Sequence, residues 1–253
     1  MTEVLSDKCI IVTGAGSGIG EAAARLFVDA GAKLILANRN VERGEALAKA
    51  LTDRGGTVRF FRTDISDEDD VRAMVAAALD SYGRLDGAFN NAGVGYAAKR
   101  IHELDLADWQ RTIDINLTGV FLCMKHEIAA MLKTGGGSIV NTGSVGSVSA
   151  FPVAPEYNAS KHGLWGLTRN VALDYGKDHI RVNALLPGAT DTPLVPQQAK
   201  LKGPENTMPH PLSVLGRMAT ADEVAQGALW LLSDAASYVT GSTLTIDGGF
   251  TLT

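Results

Sequence analysis

Lys8-Cys9-Ile10-Ile11-Val12-Thr13-Gly14-Ala15-Gly16-Ser17-Gly18-Ile19-Gly20 is the stretch on which the reading of this chain turns. Its first six residues make a short apolar run of strand length. Four glycines then fall within seven positions, after which Ala22, Ala23, Leu26 and Phe27 resume at helical spacing. A strand, a glycine-dense turn and a helix start together form a phosphate cradle. Glycine lets the backbone approach a pyrophosphate, and the free N–H groups at the positive end of the helix dipole face it. The spacing Thr13-Gly14-x3-Gly18-Ile19-Gly20 departs from the Gly-x-Gly-x-x-Gly dinucleotide fingerprint. A tight turn would account for one or two of these glycines; four favour nucleotide binding.

Outward from this stretch, strand and helix patterns alternate to the end of the chain. Apolar runs at about 8–13, 33–37, 57–62, 85–89, 137–141, 180–185 and 243–246 read as strands. Helical periodicity lies between them at about 18–30, 41–54, 67–82, 105–132, 156–177 and 221–233. Such alternation implies right-handed crossovers and a parallel sheet covered on both faces. The expected fold is α/β: a single doubly wound Rossmann-type domain over residues 1–253, with a seven-stranded parallel sheet and helices on both faces. A binding site then belongs at the carboxyl ends of the strands, near the topological switch point. There is no internal repeat, and Gly135-Gly136-Gly137 is a loop before a strand.

A second stretch carries chemistry: Tyr157-Asn158-Ala159-Ser160-Lys161, with Ser144 thirteen positions before the tyrosine. On a helix, positions i and i+4 share a face, so the ammonium sits beside the phenol. At ~4 Å and an effective dielectric of ~20, one charge contributes roughly 4 kcal/mol. That is enough to bring a phenol from about 10 towards neutrality, where it exchanges a proton with an alcohol or ketone. Alone, Tyr-x-x-x-Lys is also common among ordinary solvated helix positions.

The ordered set of motifs resembles the short-chain dehydrogenase/reductase family in its branch of about 250 residues, from about Asp7 to Gly249. The marks are Thr13-Gly14-Ala15-Gly16-Ser17-Gly18-Ile19-Gly20, Asp64, Asn90-Asn91-Ala92-Gly93, Asn116, Ser144, Tyr157, Lys161, Pro187-Gly188, and Thr240-Gly241 with Asp247-Gly248-Gly249. The resemblance implies an NAD(P)-dependent oxidoreductase that interconverts a secondary alcohol and a ketone by hydride transfer. Tyr157 would be the acid/base, Lys161 would lower its pKa and bond the nicotinamide ribose, and Ser144 would hold the substrate oxygen. Ser147 and Ser149 lie near enough to compete with Ser144, which is preferred on spacing. Asn116 would hold a water leading from the lysine to solvent; a kink of its own helix through a local backbone bond is the other reading, and the two are compatible.

For the cofactor, the resemblance assigns Gly14, Ser17, Gly18, Ile19 and Gly20 to the pyrophosphate, and Asp64 and Ile65 to the adenine. It assigns Asn91, Ala92 and Gly93 to the adenosine ribose, with Asn90 mainly a scaffold. Pro187, Gly188, Ala189, Thr190 and Thr192 would frame the nicotinamide, Thr192 bonding its carboxamide, for pro-S transfer. Where NAD-selective relatives carry a carboxylate after strand two, this chain has Asn38, followed by Arg39. An amide does not repel a 2′-phosphate and a guanidinium suits one, although Ser17 stands where many NADP-selective relatives carry a base. The balance favours NADP over NAD.

Composition agrees with a globular protein: 45% hydrophobic and 20% charged residues, with a net charge of −5 that argues against nucleic acid or an anionic membrane as partner. Cys9 and Cys123 lack metal or redox spacing and read as buried free thiols, so no metal site is expected. The start of the chain has no basic-then-apolar pattern, and no apolar stretch approaches the ~18–20 residues that span a bilayer. A cytoplasmic protein with a small-molecule alcohol or ketone substrate is expected. The stretch from about 193 to 215, with five prolines, reads as a loop capping the substrate. Candidate pocket residues are Val94, Tyr96, Val145, Val148, Phe151, Pro152, Leu194 and Val195, with His102 and His210 within reach; most are apolar and favour a cyclic or aromatic alcohol or ketone. The resemblance implies a homotetramer built on the helices at 105–132 and 156–177 and on the C-terminal segment around Leu252. Two other classes compete: a catalytically silent cofactor-binding protein, and a non-redox lyase on the same fold.

Overall fold

A computed structural model describes residues 3–195 and 213–252. Seven strands form one parallel sheet: β1 Cys9–Thr13, β2 Lys33–Asn38, β3 Thr57–Arg62, β4 Gly87–Asn90, β5 Gly137–Thr142, β6 Ile180–Pro187 and β7 Thr243–Ile246. Their order is β3-β2-β1-β4-β5-β6-β7, so chain direction across the sheet reverses between β1 and β4. A crevice opens at such a reversal, above the carboxyl ends of the strands. The alternating pleat explains why both faces are apolar. Ile10 and Val12 face one hydrophobic layer while Cys9 and Ile11 face the other.

Helices α1 Gly18–Asp29, α2 Val41–Thr52 and α7 Ala221–Leu232 cover the first face, and α3 Glu68–Tyr82, α5 Gly119–Thr134 and α6 Pro155–Tyr175 cover the second. Phe27 of α1 meets Phe89 of β4 edge to face, ring centroids 6.1 Å apart, both fully buried. Each such side chain contributes roughly 1.5–3 kcal/mol by leaving water. Helix ends follow local chemistry. Asp67 accepts the Asp69 and Asp70 N–H groups to start α3, which stops at Gly83 in the left-handed region, φ 74°. Thr220 and Glu223 form a capping box at the start of α7.

The single helix expected at 105–132 is in fact α4 Leu106–Ile113, a π-turn Asp114–Thr118 and α5. Hydrophobic periodicity cannot register one extra residue per turn, which is why the break is silent in the sequence. The expectation about bilayer-spanning stretches also needs correction. The continuous helical run Leu106–Thr134, 29 residues, is long and apolar enough to cross a membrane by length and composition. More than half of its most apolar window is buried inside the protein, where Val120, Cys123, Met124 and Met131 fill the second core layer. Of the expected capping loop, only 193–195 and 213–215 fall among the described residues; His210 and the prolines at 196, 204, 209 and 211 lie outside them.

Candidate active site

The turn after β1 is shaped for close approach. Gly14 has φ 67°, and a Cβ there would lie 2.8 Å from Ala92 Cα on the loop after β4. A Cβ on Gly20 would lie 2.3 Å from the Gly14 carbonyl oxygen, so only glycine lets α1 begin against this turn. Ser17 occupies the cap position of α1, and its side chain makes no cap bond, which leaves the first-turn N–H groups facing the crevice. Thr13 Oγ1 accepts from the Asn91 and Ala92 N–H groups at 3.0 and 3.1 Å, tying β1 to β4 at the switch point.

A cleft of about 330 Å³ lies there, lined by Gly14, Ser17, Gly18, Ile19, Asn38, Arg39, Asp64, Ile65, Asn91, Ala92, Gly93 and Thr192. These are residues the sequence assigned to the cofactor. Thr192 packs directly over Gly18, where a Cβ would meet its side chain at 3.1 Å. Pro187, Gly188, Ala189 and Thr190 are not in the wall of the cleft. They form the turn that delivers Thr192: the Ala189 carbonyl accepts the Ala219 N–H at 2.9 Å, and Thr190 Oγ1 donates to the Gly188 carbonyl at 3.0 Å. A dinucleotide fits these donors, an apolar floor and a glycine cradle that a Cβ would fill.

At the adenosine end, Arg39 Nη1 lies 3.6 Å from Asp64 Oδ2 and is more exposed than buried. Burial pushes the Asp64 carboxyl up, but bonds from Ser66 and the Arg39 charge outweigh it and leave it below the usual range. Asn38 donates to the Asn40 carbonyl at 3.3 Å and packs so tightly that a Cβ on Gly16 would overlap its Nδ2. The same position on Gly16 is 3.5 Å from Arg43 Cβ, so a second arginine is rooted beside this corner. Arg43 was missed in the sequence; its one signal was its place four residues after Arg39, in the first turn of α2.

The catalytic candidates converge above β5. Ser144 is buried at the start of a 3-10 turn, Val145–Ser147; its Oγ accepts the Gly146 N–H at 3.0 Å. Ser147 is spent on the same turn, its Oγ accepting the Ser144 N–H at 3.2 Å, and Ser149 is exposed. Of the three serines, Ser144 is the one in a hydrogen bond with the Tyr157 side chain. Tyr157 and Lys161 lie on one face of α6, with Nζ 5.7 Å from the phenol ring centroid. Crowding by the protein raises the Tyr157 pKa, opposed by a hydrogen bond with Ser144 and assisted by Tyr96. Burial brings Lys161 down to about 8, and its Nζ donates to the Thr142 carbonyl at 2.8 Å. The expected lysine-driven fall in the phenol pKa is therefore not seen. The ammonium is turned onto a backbone carbonyl, and desolvation dominates both groups.

Asn116 sits buried in the π-turn, but its partner is not its own helix. Its Oδ1 accepts the Val94 N–H at 2.8 Å and its Nδ2 donates to the Val94 carbonyl at 3.0 Å. The local-kink alternative falls, since the side chain braces the loop after β4. Asn90 is a scaffold: it donates to Glu127 at 3.0 Å and to Asn141 at 3.1 Å in the core. Of the pocket candidates, Tyr96 and Phe151 pack on Tyr157, while Val94 and Leu194 line the cleft. Val195 donates to the Thr192 carbonyl at 3.2 Å; Val145 is buried in its turn; Val148 and Pro152 are exposed. His102 is exposed beside Glu103 and lines a second hollow with Arg100, Phe151 and Asn158.

The family described as enoyl-(acyl carrier protein) reductase matches residues 14–251. A 2,5-dichloro-2,5-cyclohexadiene-1,4-diol dehydrogenase of Sphingobium indicum is 50% identical over 250 residues, 98% of each chain. A cis-4-hydroxycyclohexanecarboxylate dehydrogenase of Sinomonas cyclohexanicum is 41% identical over 251 residues, 99% of each. The crystal structure of levodione reductase superposes with a TM-score of 0.89 at 38% identity, covering 96% of this chain and 97% of that one.

Proposed function

The chain belongs to the short-chain dehydrogenase/reductase family, and from that premise we propose that it acts on a secondary alcohol borne on a ring, or the matching ketone, with Tyr157 carrying the proton. The reaction class is that of the family: a nicotinamide-dependent oxidoreductase of small-molecule alcohols and ketones. The lyase and silent-protein alternatives are not favoured. What supports the ring is the aromatic contact on the acid/base itself. Tyr96 and Phe151 stand 6.0 and 6.4 Å from Tyr157, and both named relatives act on six-membered rings.

In this reading the bound nicotinamide supplies or accepts the hydride. The turn at Gly14 to Gly20 holds the pyrophosphate, and Thr192 over Gly18 fixes the far end of the cleft. Ser144, its oxygen anchored by the Gly146 N–H, donates to the substrate oxygen. Tyr157 takes the hydroxyl proton in oxidation and returns it in reduction. Lys161, protonated at neutral pH with a pKa of about 8, offers a buried positive charge as the phenolate forms.

The test is fluorescence titration with NADH and NADPH, then oxidation of cyclohexanol and cyclohexane-1,4-diol with either oxidised coenzyme. A folded sample that binds neither nucleotide, or oxidises neither ring, would overturn the proposal. For the coenzyme we favour NADP, on the exposed Arg39, the nearby Arg43 and the uncharged Asn38. Arg39→Ala should weaken NADPH roughly tenfold and NADH about twofold, since only the former loses a charge-assisted bond; equal weakening would sink the preference. A cytoplasmic location suits the two buried free thiols, Cys9 being pushed by burial up to about 12. A homotetramer is favoured by apolar side chains left exposed on α5 and α6, notably Phe121, Leu132 and Leu173.

A further inference from the structure

The two neighbours of Tyr157 in α6 reach two different loops, those that carry Tyr96 and Phe151. Successive helical residues leave the axis about 100° apart, so Glu156 and Asn158 point to opposite sides of Tyr157. On one side, Glu156 Oε1 accepts the Ala97 N–H at 2.6 Å; the side chain is fully buried, and Oε2 has no partner among the described residues. On the other, Asn158 pairs with the Phe151 backbone through both ends of its amide. Its Oδ1 accepts the Phe151 N–H at 3.1 Å and its Nδ2 donates to the Phe151 carbonyl at 2.9 Å.

Each fastened residue is at or beside a ring that packs on the phenol. Tyr96, next to Ala97, meets Tyr157 edge-on at 63°, and Phe151 meets it tilted at 41°. Phe151 also touches Phe250 near the C-terminus, centroids 6.2 Å apart. The loop segments have no helix or strand of their own, and each holds a non-glycine residue in the left-handed region: Ala98 at φ 59° and Val153 at φ 53°. A β-branched residue is strongly disfavoured there, and such conformations persist only where the surroundings over-determine them. The bonds from Glu156 and Asn158 lie within two residues of each strained position.

We propose that Glu156 and Asn158 are positioning residues that pin the Tyr96 and Phe151 loops to the helix carrying Tyr157, and that this pinned aromatic cleft selects ring-borne alcohols and ketones over open-chain ones. The selectivity half rests on the function proposed above, with Tyr157 as proton carrier. Walls ordered before the substrate arrives spare it the cost of ordering them, and flat rigid rings gain most from flat rigid walls.

Hydrogen exchange at the Ala97 and Phe151 amides tests the pinning in the protein alone. Glu156→Ala should speed exchange at Ala97, and Asn158→Ala at Phe151, by at least roughly tenfold, while Glu156→Gln, which keeps an acceptor oxygen, recovers the protected amide. The second readout compares cyclohexanol with 2-hexanol. In the alanine variants KM for the ring should rise roughly tenfold and kcat/KM for the open chain fall much less, with the Kd for coenzyme within about twofold of wild type. Unchanged exchange at both amides overturns the pinning, and equal losses on ring and open-chain alcohols overturn the selectivity. Should the unmodified protein oxidise no ring alcohol, the proposed function fails first, visibly without any variant, and the selectivity falls with it.

Discussion

Tyr157 and Lys161 share a face of α6, yet their ionisation equilibria are driven mainly by what surrounds them. Burial raises the phenol and lowers the ammonium to about 8, so desolvation works against the charged form of each, while the lysine still carries its proton at neutral pH. The two are therefore best read as a coupled pair, in which loss of the phenol proton strengthens the lysine's hold on its own. Tyr157→Phe removes the proton carrier alone. Turnover should fall by about 10²–10⁴-fold while coenzyme Kd changes less than about twofold, read by steady-state kinetics and fluorescence titration. Glu127 is another buried titratable group, raised by burial to about 7 against one bond from Asn90. Its folded pKa exceeds its unfolded value near 4.5, so the stabilising preference for the protonated form is present below 4.5 and lost as pH rises through 7. Glu127→Gln should therefore raise the melting temperature at pH 8 and leave it nearly unchanged at pH 4.5. Thermal unfolding at both pH values checks this, and a gain that is larger at the acid end would reverse the assignment.

The elements around the site are joined by side chains that replace missing secondary structure. The loop after β4 has its backbone held by Asn116 at Val94 and by Glu156 at Ala97, and the segment before α6 is held by Asn158 at Phe151. Such bonds join residues 7 to 59 positions apart, so no local pattern announces them. Val153 is the clearest sign of strain in this arrangement. A left-handed L-residue costs roughly 1–2 kcal/mol, and glycine returns part of that gain as chain entropy, about 0.5–1 kcal/mol. Val153→Gly should thus raise stability by up to about 1 kcal/mol, a melting shift of about 1–3 °C for a protein of this size. A clear loss would mean that the valine side chain, half-exposed though it is, carries more packing than its backbone costs.

Across the whole molecule, the sheet order brings the turn after β1 against the loop after β4 and so closes the glycine cradle against Asn91 and Ala92. The same packing leaves Leu173 on α6 four-fifths exposed and Phe121 on α5 half-exposed, on helices whose other faces are in the core. If these faces bury one another in a tetramer, Leu173→Glu with Phe121→Glu should shift sedimentation towards smaller species without unfolding the protein. A wild-type monomer would end that reading at once.

The seven strands, six helical segments and the shared face of Tyr157 and Lys161 are legible in the sequence because each depends on short-range order, whereas Ser144 was named through the family resemblance. Strand and helix periodicity repeat every few residues, a cradle needs glycines within one turn, and a phenol and ammonium four apart must share a face. Long-range packing decided the rest. It turned Lys161 onto Thr142 and Asn116 onto Val94, brought Arg43 to the glycine turn, and buried Glu127 under Asn90. Burial and hydrogen bonds between distant residues set these outcomes, and both exist only once the chain has folded.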